Sequence, residues 1–390
     1  MSEWKKVRLG EIANYVNEKI DIKAFDTSLY ISTDSMLKDK GGIGTPESIP
    51  ESGKVTKYQH NDILVSNIRP YFKKIWFSNR EGGCSNDVLV FRANDNIDST
   101  FLYYVLSDDS FFDHMMSSAN GTKMPRGNRK LIPSFEIPLP PLSTQHRIAT
   151  ILSRYDSLIE NYQKQIKLLE EAAQRLYKEW FVDLRFPGHE NTNIIDGVPE
   201  GWEKKKLYEI AEVVMGSSPK SEFYNNDKQG LPFHQGVGSY GTRFVDDNVY
   251  STSITRLAEP NSILFSVRAP VGRLNITKNK IIIGRGLAAM NHKDGSQSFL
   301  FYMLKERFFI DNIIGNGSIF ASISKVELLD QEFIVPPMKT IKAFESLASK
   351  LDKKIQGVDT QLRLLTEARD RLLPKLMNGE MEIQDNKQVK

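Results

Sequence analysis

The chain spells one order of segments twice, and that duplication limits its fold more than any single motif. "WKKVRLGEIANYV" (4–16) returns as "WEKKKLYEIAEVV" (202–214), matching Trp4 with Trp202, Leu9 with Leu207, Glu11 with Glu209 and Ile12 with Ile210 at an offset of 198. "DILVSNIRP" (62–70) is answered by "SILFSVRAP" (262–270), "FLYYVL" (101–106) by "FLFYML" (299–304), and Pro140-Pro141 by Pro336-Pro337 at an offset of 196. Several matches in one order at a near-constant offset predict two diverged copies of one structural unit.

Each copy divides in two. The first part holds short β-branched and aromatic runs such as "KIWF", "DVLVFRA", "SILFSV" and "KIIIG", broken by Gly, Asn, Asp and Pro, together with one helical stretch, 101–116 or 299–314. That pattern predicts an α/β or α+β globule of ordinary domain size. The second part begins after each Pro-Pro pair, because proline holds its predecessor extended and a helix can start only beyond it. The expected boundaries are a globule at 1–141, a helical spacer at 142–186, a linker at 187–198, a second globule at 199–337, a second spacer at 338–377 and a polar tail at 378–390.

The spacers carry the clearest periodicity. Alternate steps of four and three from Ile148 meet Leu152, Tyr155, Ile159, Tyr162, Ile166, Leu169, Ala173, Leu176 and Trp180. In the second copy the same steps give Phe344, Ala348, Leu351, Ile355, Val358, Leu362, Leu365, Arg369, Leu372 and Leu376, interrupted only by Arg369. These are heptad seams, on rods of roughly 50–60 Å at 1.5 Å per residue. Rods matched in length and too long for burial in one globule are expected to pair as an antiparallel coiled coil. Gly357, which costs about 1 kcal/mol against Ala inside a helix, points to a second rod held by its packing, and Pro374 is expected to end it.

Composition excludes several functions. The chain has 390 residues, 40% of them apolar, and a net charge of +3, which fits a globular protein of more than one domain. "MSEWKKVRLG" has no signal-peptide pattern and no run of eighteen apolar residues occurs, so a cytoplasmic protein without membrane contact is expected. Cys84 is the single cysteine and the six histidines lack metal-ligand spacing, so neither a disulfide nor a metal centre is expected. Gly236-Val237-Gly238-Ser239-Tyr240-Gly241 matches a dinucleotide fingerprint but is followed by "TRFVDDNVYSTSIT", which has no helical period, so no bound cofactor is expected. An adenine methyltransferase needs a polar residue before its Pro-Pro pair and an aromatic one after it. Here Leu139 and Leu142 flank one pair, Val335 and Met338 the other. No P-loop and no Pro-Asp nuclease start occurs either.

Local charge is more telling than the net. Residues 63–80 contain Arg69, Lys73, Lys74 and Arg80 without an acid, interleaved with Tyr71, Phe72, Trp76 and Phe77. Residues 262–293 contain Arg268, Arg273, Lys278, Lys280, Arg285 and Lys293, again without an acid, and "NGTKMPRGNRKLIP" (120–133) adds Lys123, Arg126, Arg129 and Lys130. A lone charge run is usually a solvated face. Paired runs on a duplicated unit point to phosphate and base-edge contacts at two half-sites. A scaffold bridging two proteins would account for the seams but not for the basic stretches.

"GWEKKKLYEIAEVVMG", "ILFSVRAPVGRLNI", "IIIGRGLAAM", "ILVSNIRPYFKKIWF" and "EIPLPPLSTQHRIATIL" resemble the specificity subunit of type I restriction-modification systems, and the resemblance covers essentially the whole chain. It implies two target-recognition domains, each reading half of a bipartite asymmetric site in double-stranded DNA. The spacer helices would set the gap and dock two methyltransferase subunits, which carry S-adenosylmethionine and methylate adenine N6. Restriction and translocation subunits join them, so ATP and Mg belong to partners and this chain is non-catalytic. A related type II enzyme with a bipartite site is the alternative. The resemblance further implies DNA-facing residues at Ser66, Asn67, Arg69, Tyr71, Lys73, Thr122, Lys123 and Arg126 in the first copy and Ser266, Arg268, Arg273, Ser318 and Ser322 in the second. For Ser66 and Ser266 a hydroxyl bonded within the turn is an equal reading, and for Arg69 and Arg268 the alternative is a salt bridge. Ile148, Leu152, Tyr155, Ile159, Tyr162, Ile166, Leu169, Leu176, Phe344, Leu351, Ile355, Leu362, Leu365 and Leu372 are expected to serve the coiled coil and partner docking. "NGSIFASISK" (316–325) departs from the first copy's basic loop, which implies two different half-sites.

Overall fold

A computed structural model of the chain describes residues 4–119, 121, 123–308 and 322–381. It divides into two compact units, residues 1–162 with 361–390 and residues 163–360. Each unit therefore holds one globule, the start of its own long helix and the end of the other.

In the first unit a strand, Lys5–Arg8, pairs antiparallel with Glu136–Leu139 and leads into a single helical turn, Leu9–Ile12. Glu11 turns back to accept the Arg8 N–H at 3.3 Å, satisfying a donor that a helix start leaves open. An antiparallel sheet follows in the order Ala13–Tyr15, Val88–Ala93, Ile63–Ser66, Ile75–Phe77. Its two central strands are apolar at every position that packs, because both faces are covered. Successive side chains alternate faces, so Ile63, Val65, Leu89 and Phe91 join the helices in one core, while Leu64, Val88 and Val90 join Tyr58 and Cys84 in another. The second core is closed by a smaller sheet, Lys19–Asp21, Lys54–Tyr58 and Gly82–Cys84. At Gly83 a Cβ would come within 2.4 Å of the Phe25 ring, so only glycine lets the strand approach.

The second unit repeats this plan. Glu203–Lys206 pairs with Glu332–Val335, Glu209 accepts the Lys206 N–H at 2.7 Å, and the sheet order is Ala211–Met215, Leu287–His292, Ile263–Ser266, Leu274–Ile276. The copies part company in the accessory sheet. Here it has five strands in the order Tyr224–Asn225, Tyr250–Ser251, Leu231–His234, Ile281–Ile283, Leu257–Ala258. Leu231–His234 and Ile281–Ile283 run parallel. This is an α+β domain in two copies, as the sequence predicts.

Two expected helices differ. The 101–116 stretch forms two, Ser99–Ser107 and Asp109–Ser117. Asp108 is extended between them and accepts the Ser110 N–H at 2.9 Å, so a capping side chain wins over continuation. Its counterpart runs Gln297–Phe308, and the remainder of the expected 299–314 segment lies outside the described residues.

The long helices are Leu142–Tyr177, continued by a π-helical turn at Lys178–Val182, and Met338–Met377. In the first unit Ile148 and Leu152 share a core with Leu373, Leu376 and Met377. In the second, Phe344 packs its ring 5.8 Å from Tyr177 and 6.0 Å from Trp180. The start of each helix thus meets the end of the other, which is antiparallel pairing. Pro374 does not end the second helix. It lies inside the last turns, where the loss of one backbone bond, about 3 kcal/mol, is offset by burying Leu373, Leu376 and Met377 at roughly 1.5–3 kcal/mol each.

Arg369, the apparent fault in the seam, has a partner. Its Nη1 donates to Asp156 Oδ1 at 2.9 Å, and Tyr104 Oη donates to Asp156 Oδ2 at 2.6 Å. The second unit holds the equivalent bond, Tyr302 Oη to Asp352 Oδ1 at 2.8 Å, with Arg243 supplying the cation at 2.7 Å. Hydrogen bonds to a charged group contribute about 1.5–3 kcal/mol, so in each copy a buried tyrosine fastens the globule's helix to its own spacer.

Candidate nucleic-acid interface

The two stretches that the sequence singles out meet in space, in both copies. In the first unit strand Ile63–Ser66 runs into Asn67-Ile68-Arg69, and Ile68 forms an antiparallel bridge with Arg126. The Arg69 N–H donates to the Pro125 carbonyl at 2.8 Å, and the Gly127 N–H to the Asn67 carbonyl at 3.2 Å. In the second unit Arg268 bridges Ser322, and the Ile323 N–H donates to the Val267 carbonyl at 2.9 Å. A one-residue turn of ladder is thus built twice, at equivalent positions, between the strand end and the loop that precedes the Pro-Pro junction.

What each side chain does there separates the candidates. Ser66 is 2% exposed and donates to the Ile68 carbonyl at 3.1 Å. Ser266 is 1% exposed, donates to the Pro270 carbonyl at 2.6 Å and accepts the Arg273 N–H at 2.8 Å. Both hydroxyls are fasteners within the turn, so the turn reading holds for them rather than a base contact. Asn67 is also buried, with an Oδ1 that has no partner among the described residues. A Cβ on Gly127 would lie 2.9 Å from that oxygen, so the pair fixes how closely the loop docks.

The exposed set is smaller. Tyr71 is 46% exposed on the 3₁₀ turn Pro70–Phe72, which is flanked by Arg69 and Lys73, both in the left-handed region at φ 50° and 49°. Lys123 and Arg126 are exposed in the first unit, and Arg268, Arg273 and Ser322 in the second. Thr122 and Ser318 lie outside the described residues.

The stretches without acids in sequence are not without acids in space. Lys73 Nζ lies 2.7 Å from Asp109, Arg126 Nη2 3.2 Å from Asp87 and Lys280 Nζ 2.7 Å from Glu259, while Lys278 pairs with Asp359. Each acid comes from outside the basic run, which is why the run looked unbalanced. The Lys73 hydrogen bond holds the Asp109 carboxyl below the usual carboxylate range and raises Lys73 in return. The Arg69 guanidinium lies 5.9 Å from the centre of the Phe72 ring.

Sequence reasoning missed Lys38 and Lys40. The segment around them docks on the turn: the Asp39 N–H donates to the Phe72 carbonyl at 2.9 Å and the Lys40 N–H to that of Lys73 at 3.0 Å. Lys38 Nζ sits 4.1 Å from the centre of the Phe72 ring, and Lys40 shares Asp109 with Lys73 at 3.3 Å. The only hint was Lys38-Asp39-Lys40 before Gly41-Gly42, where Asp39 and Lys40 take positive φ.

The glycine fingerprint opens no helix. Val237–Ser239 is a 3₁₀ turn, and Ser239, His234 and Asp247 form a hydroxyl, imidazole and carboxylate row at 2.7 and 2.9 Å. The imidazole is fully buried and Asn279 binds the other oxygen of Asp247 at 2.7 Å, so the row ties a loop to its strand. Among the described residues no group of three or more His, Cys, Asp or Glu could hold a metal, and no helix is long and apolar enough to cross a membrane.

On the long helices every seam position is buried or half-buried, including Tyr155, Ile159, Tyr162, Ile166, Leu169, Leu176, Leu351, Ile355, Leu362, Leu365 and Leu372. These side chains line the internal seam. Leu158, Leu168, Leu347 and Leu364 are the large apolar residues that these helices leave exposed mid-length.

Comparison with known proteins agrees with this geometry. The profile described as the type I restriction modification DNA specificity domain matches twice, over residues 1–171 and 199–362. The chain is 29% identical over 309 residues to the type I restriction enzyme MjaIX specificity subunit of Methanocaldococcus jannaschii, covering 75% of this chain and 71% of the relative. It is 22% identical over 463 aligned positions to the HindI specificity subunit of Haemophilus influenzae, covering 98% and 100%. In fold it is similar to the type I restriction-modification system S subunit from M. genitalium, with a TM-score of 0.61 at 18% identity over 98% of this chain and 97% of that one.

Proposed function

The chain belongs to the type I restriction-modification DNA specificity family, and on that premise we propose that each of its globules reads one half of a bipartite asymmetric site in double-stranded DNA. The observation that carries this reading is the duplicated junction, Ile68 with Arg126 and Arg268 with Ser322, which presents Arg69, Tyr71, Lys123 and Arg126 from one copy and Arg268, Arg273 and Ser322 from the other. Arg side chains pair bidentately with guanine, and Lys or exposed backbone N–H groups take phosphates. The two copies share the supporting sheet and differ in the accessory sheet and in the loop, as two readers of unlike half-sites should.

The spacer helices set the gap between half-sites. Their outer faces, with exposed Leu158, Leu168, Leu347 and Leu364, are where two methyltransferase subunits dock. Those partners hold S-adenosylmethionine and methylate adenine N6; restriction and translocation subunits bring ATP and Mg. The chain itself is non-catalytic and acts in the cytoplasm, by directing partner chemistry to an address.

Arg268→Ala in the assembled methyltransferase complex is expected to weaken binding to its own duplex by roughly 5- to 150-fold, the 1–3 kcal/mol of a lost base contact, with an unchanged melting temperature. Undiminished affinity, measured by fluorescence anisotropy at fixed salt, would remove Arg268 from the interface.

A further inference from the structure

Between Met338 and Thr360 the second long helix carries only three acids, Glu345, Asp352 and Asp359, spaced seven residues apart. Seven residues make almost two turns, roughly 10 Å of helix, so the three share one stripe. All three are half-buried, whereas the five lysines of the same stretch are exposed. Each acid is taken by the globule of its own unit. Glu345 accepts the Ser298 and Phe299 N–H groups at 3.3 and 2.9 Å. Asp352 accepts Tyr302 Oη at 2.8 Å and Arg243 Nη2 at 2.7 Å, and Lys278 Nζ pairs with Asp359.

These attachments hold two different parts. Glu345 and the Tyr302 bond hold the helix Gln297–Phe308. Arg243 and Lys278 hold the edge of the sheet. The Ile276 N–H donates to the Arg243 carbonyl at 3.0 Å, Phe244 bridges Ile276, and Lys278 follows two residues later. Leu274–Ile276 pairs in turn with Ile263–Ser266, and the Ser266 N–H donates to the Arg273 carbonyl at 2.9 Å. One strand therefore separates the two cations from the turn that presents Arg268 and Arg273. Arg243 stacks 3.6 Å from the centre of the Phe301 ring and also lies 3.7 Å from Glu170 of the first long helix. Partly buried pairs are screened less than exposed ones. A single attachment would act as a pivot; two, roughly 10 Å apart along the helix, stop the sheet edge from swinging.

The first copy shares only the middle attachment. At the offset of 196, Asp352 matches Asp156, but Glu345 and Asp359 match Ala149 and Gln163. Asp156 takes its cation from Arg369 of the second long helix rather than from the globule. Fastening the sheet edge is thus a property of the second reader and not a requirement of the shared fold.

We propose that Arg243 and Lys278 are positioning residues for the recognised gap: they fix the angle of the second reading turn on its spacer, so that rod length alone does not decide how many base pairs separate the half-sites. This deepens the bipartite reading proposed above and rests on it. Each base pair adds about 3.4 Å and about a tenth of a turn, so a reading turn free to move by a few ångströms would accept a half-site one base pair nearer or farther.

The test maps N6-methyladenine by long-read sequencing in cells that carry the chain with its methyltransferase partner, for the wild type, Lys278→Met, Asp359→Asn, Lys278→Arg and Arg243→Met. The melting temperature of each purified complex checks folding. Lys278→Met and Asp359→Asn remove the pair at nearly constant size, and Lys278→Arg keeps it. In the first two, methylation at gaps one base pair longer or shorter, relative to the native gap, should rise fivefold or more while both half-site sequences stay the same. Lys278→Arg should keep the wild-type gap. Arg243→Met should relax it; because that position is buried, the Lys278 and Asp359 variants decide if it alone fails to fold. A gap as strict in Lys278→Met and Asp359→Asn as in the wild type would overturn the proposal. Equal relaxation of the half-site sequences would overturn it too, as the mark of a domain merely loosened. A wild type that methylates no bipartite motif would instead sink the underlying reading, and the proposal with it.

Discussion

Asp109 shows how single residues tune the interface. It lies outside the basic run, yet takes both Lys73 and Lys40, at 2.7 and 3.3 Å, and in the proposed interface it would withhold two cations from DNA phosphates. Asp109→Asn should release them. The log-log salt slope of duplex binding should steepen by about one to two, with tighter binding at low salt; an unchanged slope would mean that neither lysine faces phosphate. The same carboxyl has a pH consequence. Its folded pKa lies below the ordinary value of 3.8, so its contribution to stability is fully present above that value and is lost as pH falls through the lower, folded value. Because the pair is largely exposed, that contribution is small. None of this was readable in the sequence, since a charge run shows which cations are neighbours along the chain and not which distant acid folds against them. Ser66 and Ser266 make the same point from the other side: their place beside the interface was legible, but their burial into the turn was decided by backbone geometry.

The long helices were the most legible elements, because burial on one face leaves a period that survives in sequence. All seam positions face inward, and even Arg369 was placed correctly in phase; what the sequence lacked was its partner Asp156, held by Tyr104. The failures came where local chemistry outweighs period. Asp108 splits one expected helix by capping the next, and Pro374 is carried inside another by the burial around it. The antiparallel pairing also shows how to test whether the helices set the gap. Counting eight residues along each helix from the Asp156 and Arg369 pair reaches Lys164 and Gln361. Seven residues inserted at both points keep the heptad phase and should lengthen the rod by roughly 10 Å, about three base pairs of duplex, shifting the recognised gap by that amount. An insertion at Lys164 alone should instead unfold the pair, as a loss of circular-dichroism helicity and of binding would show. A matched insertion that leaves the gap unchanged would mean that the helices do not set it.

At the scale of the molecule, duplication is both the fold's plan and the basis of its function. The shared sheet, the capped first turn, the tyrosine bond to the spacer and the strand-end junction all recur, whereas the accessory sheets differ in strand number and order. Repeated parts could be read from the sequence because they constrain each other; the diverged parts could not, since no second copy exists to compare them with. The account therefore requires that the globules be independent readers. Its most direct test is N6-methyladenine mapping by long-read sequencing in cells that carry the chain with its methyltransferase partner, before and after residues 199–337 are exchanged for the corresponding domain of a relative. The account predicts methylation at one bipartite motif, of which the exchange rewrites one half while the other half and the gap stay the same. Methylation that changes in both halves, or that does not respond to the exchange, would contradict it.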